Sequence, residues 1–528
     1  MFEKYRELRL LYTNVTFFDT PIKTLINLLT YSTKWYIKRT EEKEIDQNNV
    51  QRWRNEFPNI VQNKDAIFCD GAAGTQVPNE VIDSMVSHLR NVGSTNVGGE
   101  YPTSEQALNT VTAARLAGKE LLGTTTTGEI AFGQNCTNLM FHLARSLENS
   151  VNDKRFAIQN QLLAYEDNQM NIKPGDNIIL SRACHDANIA PWLQMARNLG
   201  LEVRWLDCLG SSQTVCIGSD KTISLDNKVD DGNMDCIDIE QIPNLIDSKT
   251  RLISLGLASN ATGRIHLPVI EKINKVRDNF NDRQKPFLIL DGTHYLPHRK
   301  ANLTELKADA ILCSAYKFFG PHLGVMAFNG SRMKHLMPSK SGLRYDKNGN
   351  FDKDILGYGE YPNVENCEIS RWEMGTLNYE ALIGFESCVN YLSSLRNSSL
   401  QSKSRTTNLE VSFDTLRTHE EELSQRFLNG IRSGLMLNKI RLLGSRHVTE
   451  RTPTFALTLN NCSNTNEVDL VQKLNENNIY CTHGNHYAPY LVENCLNEPK
   501  GVTRISLLHY NTIEEVDKIL DVIDKYVS

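Results

Sequence analysis

Asp291 and Lys317 carry the most chemistry in this chain. Each closes a short apolar run, in Phe287-Leu-Ile-Leu-Asp291-Gly-Thr-His294 and in Ala310-Ile-Leu-Cys-Ser314-Ala-Tyr316-Lys317-Phe-Phe-Gly320-Pro. A lysine amine forms a Schiff base with the aldehyde of pyridoxal phosphate, and a carboxylate pairs with the protonated pyridine nitrogen and keeps the ring an electron sink. That chemistry requires both side chains to reach one ring. The plain alternative is a pair of solvated strand-end charges, since Asp and Lys are common there.

In an open parallel sheet, functional groups converge at the carboxyl ends of the strands. Leu288-Ile-Leu290 and Ala310-Ile-Leu312 have the apolar character of buried parallel strands, and the about twenty residues between them suffice for a crossover. Two more segments follow the same plan. Asp176-Asn-Ile-Ile-Leu-Ser-Arg-Ala-Cys-His185 sets a histidine beyond an apolar strand, where imidazole can stack on a planar ring. Leu252-Ile-Ser-Leu-Gly-Leu-Ala-Ser-Asn260 sets an amide beyond another, within reach of a phenolic oxygen.

Taken in order, His185, Asn260, Asp291-x-x-His294 and Ser314-x-x-Lys317 resemble the class V aminotransferase superfamily, and within it the cysteine desulfurase and selenocysteine lyase branch. The resemblance runs from about Arg52 to the C-terminus; no one motif is specific, but the ordered set is. It implies an α/β pyridoxal phosphate-dependent transferase fold with a large, mainly parallel seven-stranded sheet domain and a smaller α/β C-terminal domain. It implies Lys317 as the cofactor-linking lysine, Asp291 as the pyridine-nitrogen partner and His185 as the stacking ring. Asn260 and His294 fall near the cofactor O3′, with His294 where desulfurases usually carry glutamine.

Phe132-Gly133-Gln-Asn135-Cys136-Thr137-Asn138 is a turn leading into an amphipathic helix, and the N–H groups of a helix start suit a phosphate. Cys136 and Thr137, supported by the Ser314 hydroxyl, are the local candidates; an ordinary Asn or Thr cap without ligand fits the local sequence equally, and the resemblance decides for the phosphate. Two arginines are candidates for a substrate carboxylate, which guanidinium grips bidentately. Arg504, in Val502-Thr-Arg504-Ile-Ser, opens a strand before a helix with a Thr512-x-x-Glu515 capping box and matches the carboxylate-binding position of the branch. Arg371, in Arg371-Trp-Glu373-Met-Gly375-Thr376, suits a structural ion pair as well as a substrate. The Gly375-Thr376 turn resembles a loop that touches the phosphate across a dimer interface, which implies a homodimer with Thr376 at the neighbouring cofactor.

One departure stands against these agreements. Desulfurases of this branch carry a nucleophilic cysteine in a glycine-rich C-terminal loop, and here that loop reads Tyr480-Cys481-Thr-His483-Gly484-Asn485-His486-Tyr487-Ala488. Tyr487 aligns with the cysteine. Cys481 lies six residues earlier, in a strand-end context that suits a small buried hydrophobe. A thiolate is the sulfur acceptor that persulfide transfer requires, and a phenol does not supply one.

Composition bounds the rest. The chain has 528 residues, net charge −6 and twelve cysteines without a C-x-x-C pair or metal spacing. It is long enough for two domains and an extension, its mixed charges give no electrostatic nucleic-acid surface, and scattered thiols without a cleavable leader favour a reducing, cytoplasmic setting. No run is apolar for the roughly 18 residues a membrane span needs, and no metal is implied. Residues 1–50 read as an extension. Its Thr20-to-Arg39 stretch starts with a cap and an N1 proline, and suits a docking or membrane-surface helix or one packing on its own domain. Glu3, Glu7 and Asp19 argue against an organellar presequence. Residues 51–395 form the expected large domain, its first residues also candidates for packing with the small one, and 396–528 the small domain. Residues 210–234 read as a surface insertion, and Asn96-Val-Gly98-Gly99-Glu-Tyr101-Pro102 resembles the loop bordering the substrate entrance.

The function expected is a pyridoxal phosphate enzyme acting at the α-carbon of a small amino acid, desulfurase-like by descent. The alternatives are an aminotransferase or β-lyase without persulfide chemistry and, from another class, a catalytically silent scaffold subunit.

Overall fold

Continuous apolar strands buried on both faces demand a sheet covered by helices, and seven strands meet that demand. They are β1 (Gly128–Gly133), β2 (Asn177–Ser181), β3 (Glu202–Leu206), β4 (Thr250–Gly256), β5 (Phe287–Asp291), β6 (Ala310–Ser314) and β7 (Gly324–Asn329). The computed structural model describes residues 47–124, 128–159, 172–210, 214–216, 222–224, 232–282, 284–333, 336, 372–396, 404–433, 436–460 and 467–528. Arg371 and the Thr20-to-Arg39 stretch lie outside these. The strand order is β1-β7-β6-β5-β4-β2-β3. β6, β5, β4, β2 and β3 run parallel, whereas β7 is antiparallel to both of its neighbours. Every residue of β2 and β6 is buried, while the edge strand β3 is largely open.

The register brings the strand ends together. Asp291 pairs with Gly256 of β4 and with Leu312 of β6. Gly324 pairs with both Gly133 and Ser314, which levels the turn after β1 with the end of β6. A Cβ on Gly324 would stand 2.6 Å from the Asn135 carbonyl group, so only glycine lets that turn lie so close to the sheet.

Helices α1 (Pro102–Leu122), α2 (Cys136–Gln159) and α3 (Tyr379–Ser393) accompany this sheet. A second, antiparallel sheet of four strands comprises β8 (Ile440–Leu443), β9 (Thr454–Leu459), β10 (Thr482–Gly484) and β11 (Val502–Ser506) in the order β8-β9-β11-β10. Its apolar face packs on α4 (Arg405–Ile431) and α5 (Ile513–Val527) through Leu423, Phe427, Phe455, Ile505, Ile519 and Ile523. The Thr512/Glu515 capping box that the sequence predicts opens α5. Ile67–Phe68 pairs in parallel with Ile479–Tyr480, and this pairing carries residues 69–76 back toward the end of β6. No helix among the described residues is long and apolar enough to cross a membrane.

Glu373, 3% exposed, ties the approach to α3 to both α1 and β1. Its two oxygens accept from Arg115 at 2.9 and 2.8 Å, and Oε1 also accepts from Phe132 N at 3.1 Å. Removing one partner of a buried ion pair strands the other charge, at a cost of roughly 3–5 kcal/mol. Glu373→Ala is therefore expected to lower the unfolding free energy by about 3 kcal/mol in urea denaturation; a shift under about 1 kcal/mol would show the pair to be solvated.

Candidate active site

Because β5 and β6 are neighbours, their terminal residues open on one cleft. Asp291, Lys317, His185, Asn260, His294, Ser314, Cys136 and Thr137 all line it, together with Tyr316, Thr293 and Ala258. Asp291 Oδ1 accepts from Thr293 N at 2.9 Å and lies 3.8 Å from Cys136 Sγ. Lys317 ends the short turn Ala315–Lys317 that follows β6, and its Nζ donates to Ala72 O at 2.5 Å. Loss of hydration, and then the Arg504 cation, bring its pKa down to about 8, with the Asp291 carboxylate opposing the shift. A substantial neutral fraction thus exists near neutrality, the form a lysine nucleophile needs.

The start of α2 forms one corner of the cleft. Cys136 N donates to Ser314 Oγ at 2.8 Å, and Asn138 N to Asn135 Oδ1 at 2.8 Å. The Thr137 N–H has no hydrogen-bond partner among the described residues, and Thr137 lines the cleft. Burial, reinforced by Asp291, pushes the Cys136 thiol well above its usual range, so the thiolate form is disfavoured.

His185 caps the turn Asp186–Asn188, its Nδ1 accepting from Ala187 N at 3.0 Å, so Nε2 carries the proton of the neutral ring. Burial lowers its pKa, partly offset by Asp291. The turn is locked from beneath: Asn188 Oδ1 accepts from Ser254 Oγ at 2.6 Å and from Trp192 Nε1 at 3.1 Å.

Arg504, 4% exposed, sits on β11 between two anchors. Its Nη2 pairs with Asp70 Oδ1 at 2.8 Å and its Nη1 donates to Asn260 O at 3.2 Å, but the buried Nε has no partner. A buried unsatisfied guanidinium N–H is costly and marks a place where an anion fits. Asn260 lines the cleft, yet its Nδ2 donates to His486 O at 2.8 Å. His294 Nε2 lies 3.2 Å from Thr452 Oγ1, whose own proton goes to Gly263 O. His294 therefore donates from Nε2 and keeps Nδ1 as an acceptor. Burial, then His298, Arg504 and Lys317, hold its pKa well below the usual histidine range.

Thr376 is exposed and takes no part in the cleft of its own chain. Cys481 is 4% exposed within the core of the second sheet, and burial raises its thiol pKa to about 12. Three contributors escape the sequence reading. Tyr316 stands inside the Ser-x-x-Lys spacing, which was its available signal; it lines the cleft and stacks on His322 at 4.6 Å. Asp70 and the Ala72 carbonyl lie in the segment that resembles the family's entry motif, and their place at the site follows from the pairing of residues 67–68 with 479–480.

Comparison with known proteins agrees with this arrangement. The sequence matches the family Aminotransferase class-V over residues 67–162 and 157–519. Among curated proteins it is 25% identical to an aminotransferase-like protein of Gibberella zeae, over 89% of this chain and 97% of the other. It is 24% identical to a cysteine desulfurase of Pectobacterium atrosepticum, over 89% and 96%. Among solved structures, the apo cysteine desulfurase of Thermococcus onnurineus superposes with a TM-score of 0.66 at 18% identity, covering 90% of this chain and 98% of that one. The Escherichia coli cysteine desulfurase in its S-sulfonic acid form gives 0.63 at 19%, with the same coverage. With its parallel sheet, its lysine and aspartate on adjoining strand ends and a match along most of its length, the chain belongs to the class-V aminotransferase family.

Proposed function

We propose that the chain holds pyridoxal phosphate through Lys317 and acts with it at the α-carbon of a small amino acid, without a protein persulfide. The observation that carries this reading is the half-buried Lys317 amine, lowered to about 8, in one cleft with Asp291. The donor set fits the cofactor. Asp291 suits the pyridine nitrogen, the neutral His185 ring a face of the heterocycle, and the open N–H of Thr137 with Cys136 and Ser314 the phosphate. Asn260 and His294 are assigned to the phenolic oxygen, with His294 offering an acceptor there and Asn260 already committed in part to His486. Thr376, exposed on its own chain, is assigned to the phosphate of a second copy in a homodimer.

Bound there, pyridoxal phosphate supplies a sink for the electron pair left when a bond to the α-carbon breaks. Arg504 holds the substrate carboxylate, with Asp70 fixing one side of the guanidinium and the unpaired Nε left for the ligand. Lys317 Nζ, neutral near its pKa, takes the proton from the α-carbon and returns it. The relatives named as cysteine desulfurases support α-carbon chemistry on this fold. The inert Cys481 and the tyrosine at position 487 favour transamination, β-elimination or racemisation over persulfide transfer.

Uptake of pyridoxal phosphate by cofactor-free protein is expected to rise through pH about 8, because only the neutral amine attacks the aldehyde. Borohydride reduction should then fix the label on Lys317 and on nothing in Lys317→Ala; a label on another lysine overturns the assignment. Asp291→Asn should retain the cofactor but lose turnover by roughly two orders of magnitude or more, and near-normal kcat would refute its role. Cys481→Ala should act on L-cysteine and on a non-sulfur amino acid with an unchanged ratio of rates, whereas selective loss of the cysteine reaction would reveal a persulfide desulfurase. Light scattering of the cofactor-loaded protein should give the mass of two chains; an active monomer would restrict Thr376 to its own chain.

A further inference from the structure

The loop at Gly484–Ala488 is pinned by the same segments that build the cleft. Asn260 Nδ2 donates to His486 O at 2.8 Å, and Asp186 N, next to His185, donates to Tyr487 O at 2.7 Å. His486 Nε2 lies 3.1 Å from Val502 O, on the strand that carries Arg504. Asn485 closes the loop on itself: its Oδ1 accepts from Tyr487 N at 3.1 Å and its Nδ2 donates to Glu493 at 2.9 Å. His486 and Tyr487 both adopt left-handed backbone, with φ of 52° and 57°. Two successive bulky residues in that region persist only where the surroundings over-determine them, a condition typical of functional sites.

The strained backbone has a visible result. It leaves the Tyr487 ring 73% exposed, with its described ring contact on His185, centroids 5.6 Å apart and planes inclined by 32°. The ring fills no core, so folding does not account for it. It lies against His185, a residue of the cleft lining, with the exposed Asp186 next in sequence. Burial lowers the pKa of His185, and burial aided by Arg504 brings His486 down to about 3. An open aromatic face attracts a flat apolar group, and rings packed offset or edge-to-face gain beyond their buried area.

We infer that Tyr487 is a specificity-determining residue that receives the side chain of an amino acid bearing a flat, apolar group. This deepens the proposed function and rests on it. Arg504 takes the carboxylate, and Tyr487 with His185 takes the side chain. Because the backbone is held from three segments, the loop is fixed in place and does not swing a nucleophile to the substrate.

The test is calorimetric titration of cofactor-loaded protein with two unreactive acids that share the carboxylate, 3-phenylpropionate and propionate. Wild-type protein should bind 3-phenylpropionate about tenfold or more tightly than propionate. In Tyr487→Ala the ratio should fall below about threefold with propionate affinity unchanged, while Tyr487→Phe keeps the preference. Absence of the preference in the wild type, its survival in Tyr487→Ala, or failure of either acid to bind overturns the inference. Borohydride trapping of the cofactor on Lys317 in the same samples reports separately on the proposed function: loss of the trapped adduct refutes that reading, whereas a trapped adduct without a Tyr487-dependent ratio refutes only the inference.

Discussion

A lysine in the cleft lies within electrostatic reach of a buried arginine, and the rest of the site is arranged around that fact. Loss of hydration and then the Arg504 charge lower the Lys317 pKa, while burial alone lowers that of Arg504 against the pull of Asp70. Arg504 stays charged because Asp70 pairs with it at 2.8 Å. Lys317, with a backbone carbonyl at 2.5 Å and the Asp291 carboxylate acting at longer range, gives way instead and becomes the readily neutralised member. Placing the carboxylate contact on the arginine and not on the lysine separates a group that stays charged from an amine that is readily neutralised, as the proposed roles require.

That division depends on topology more than on any local motif. Asp291 and Lys317 come from adjacent parallel strands, but Asp70 and Ala72 come from a segment that pairs with residues 479–480 before entering the cleft. The second sheet reaches the lysine through this segment, since Asp70 bridges to Ser506 of β11 and the Ala72 carbonyl accepts from Lys317. The same sheet presents Arg504 on β11, flanked in register by Ala456 and Thr482. Any displacement of β11 moves the guanidinium and its Asp70 partner together, since Asp70 is also bridged to Ser506.

The sequence made legible whatever local apolarity controls. Leu288-Ile-Leu290 and Ala310-Ile-Leu312 announce buried strands because both faces of a covered sheet are apolar, and their last residues fall where chemistry can occur. The Thr512/Glu515 cap is equally local. Reversal of β7 is not, because an antiparallel strand inside a covered sheet has the same apolar content as its parallel neighbours. The need for Gly324 follows from a contact with Asn135 across strands and has no sequence signal of its own. Asn260, which the sequence sets within reach of a phenolic oxygen, has its amide engaged by His486 more than two hundred residues away. The tautomer of His294 likewise depends on a threonine that only the fold supplies.

The loop at 484–488 shows how such long-range bonds decide chemistry. A mobile loop carrying a thiol would need few fixed backbone contacts, since each must break when the nucleophile advances. Here Asp186 and Asn260 hold the backbone oxygens of Tyr487 and His486, and His486 holds β11 in turn. The residue types agree with that restraint: a left-handed pair without glycine resists rearrangement, and an exposed aromatic ring works from a fixed position. Lys317 and Asp291, which the proposed function assigns to the cofactor, take no hydrogen bond from this loop among the described residues, whereas the inferred selection of the side chain depends on it. A class-V scaffold that keeps the first and rebuilds the second retains α-carbon chemistry while exchanging its substrate.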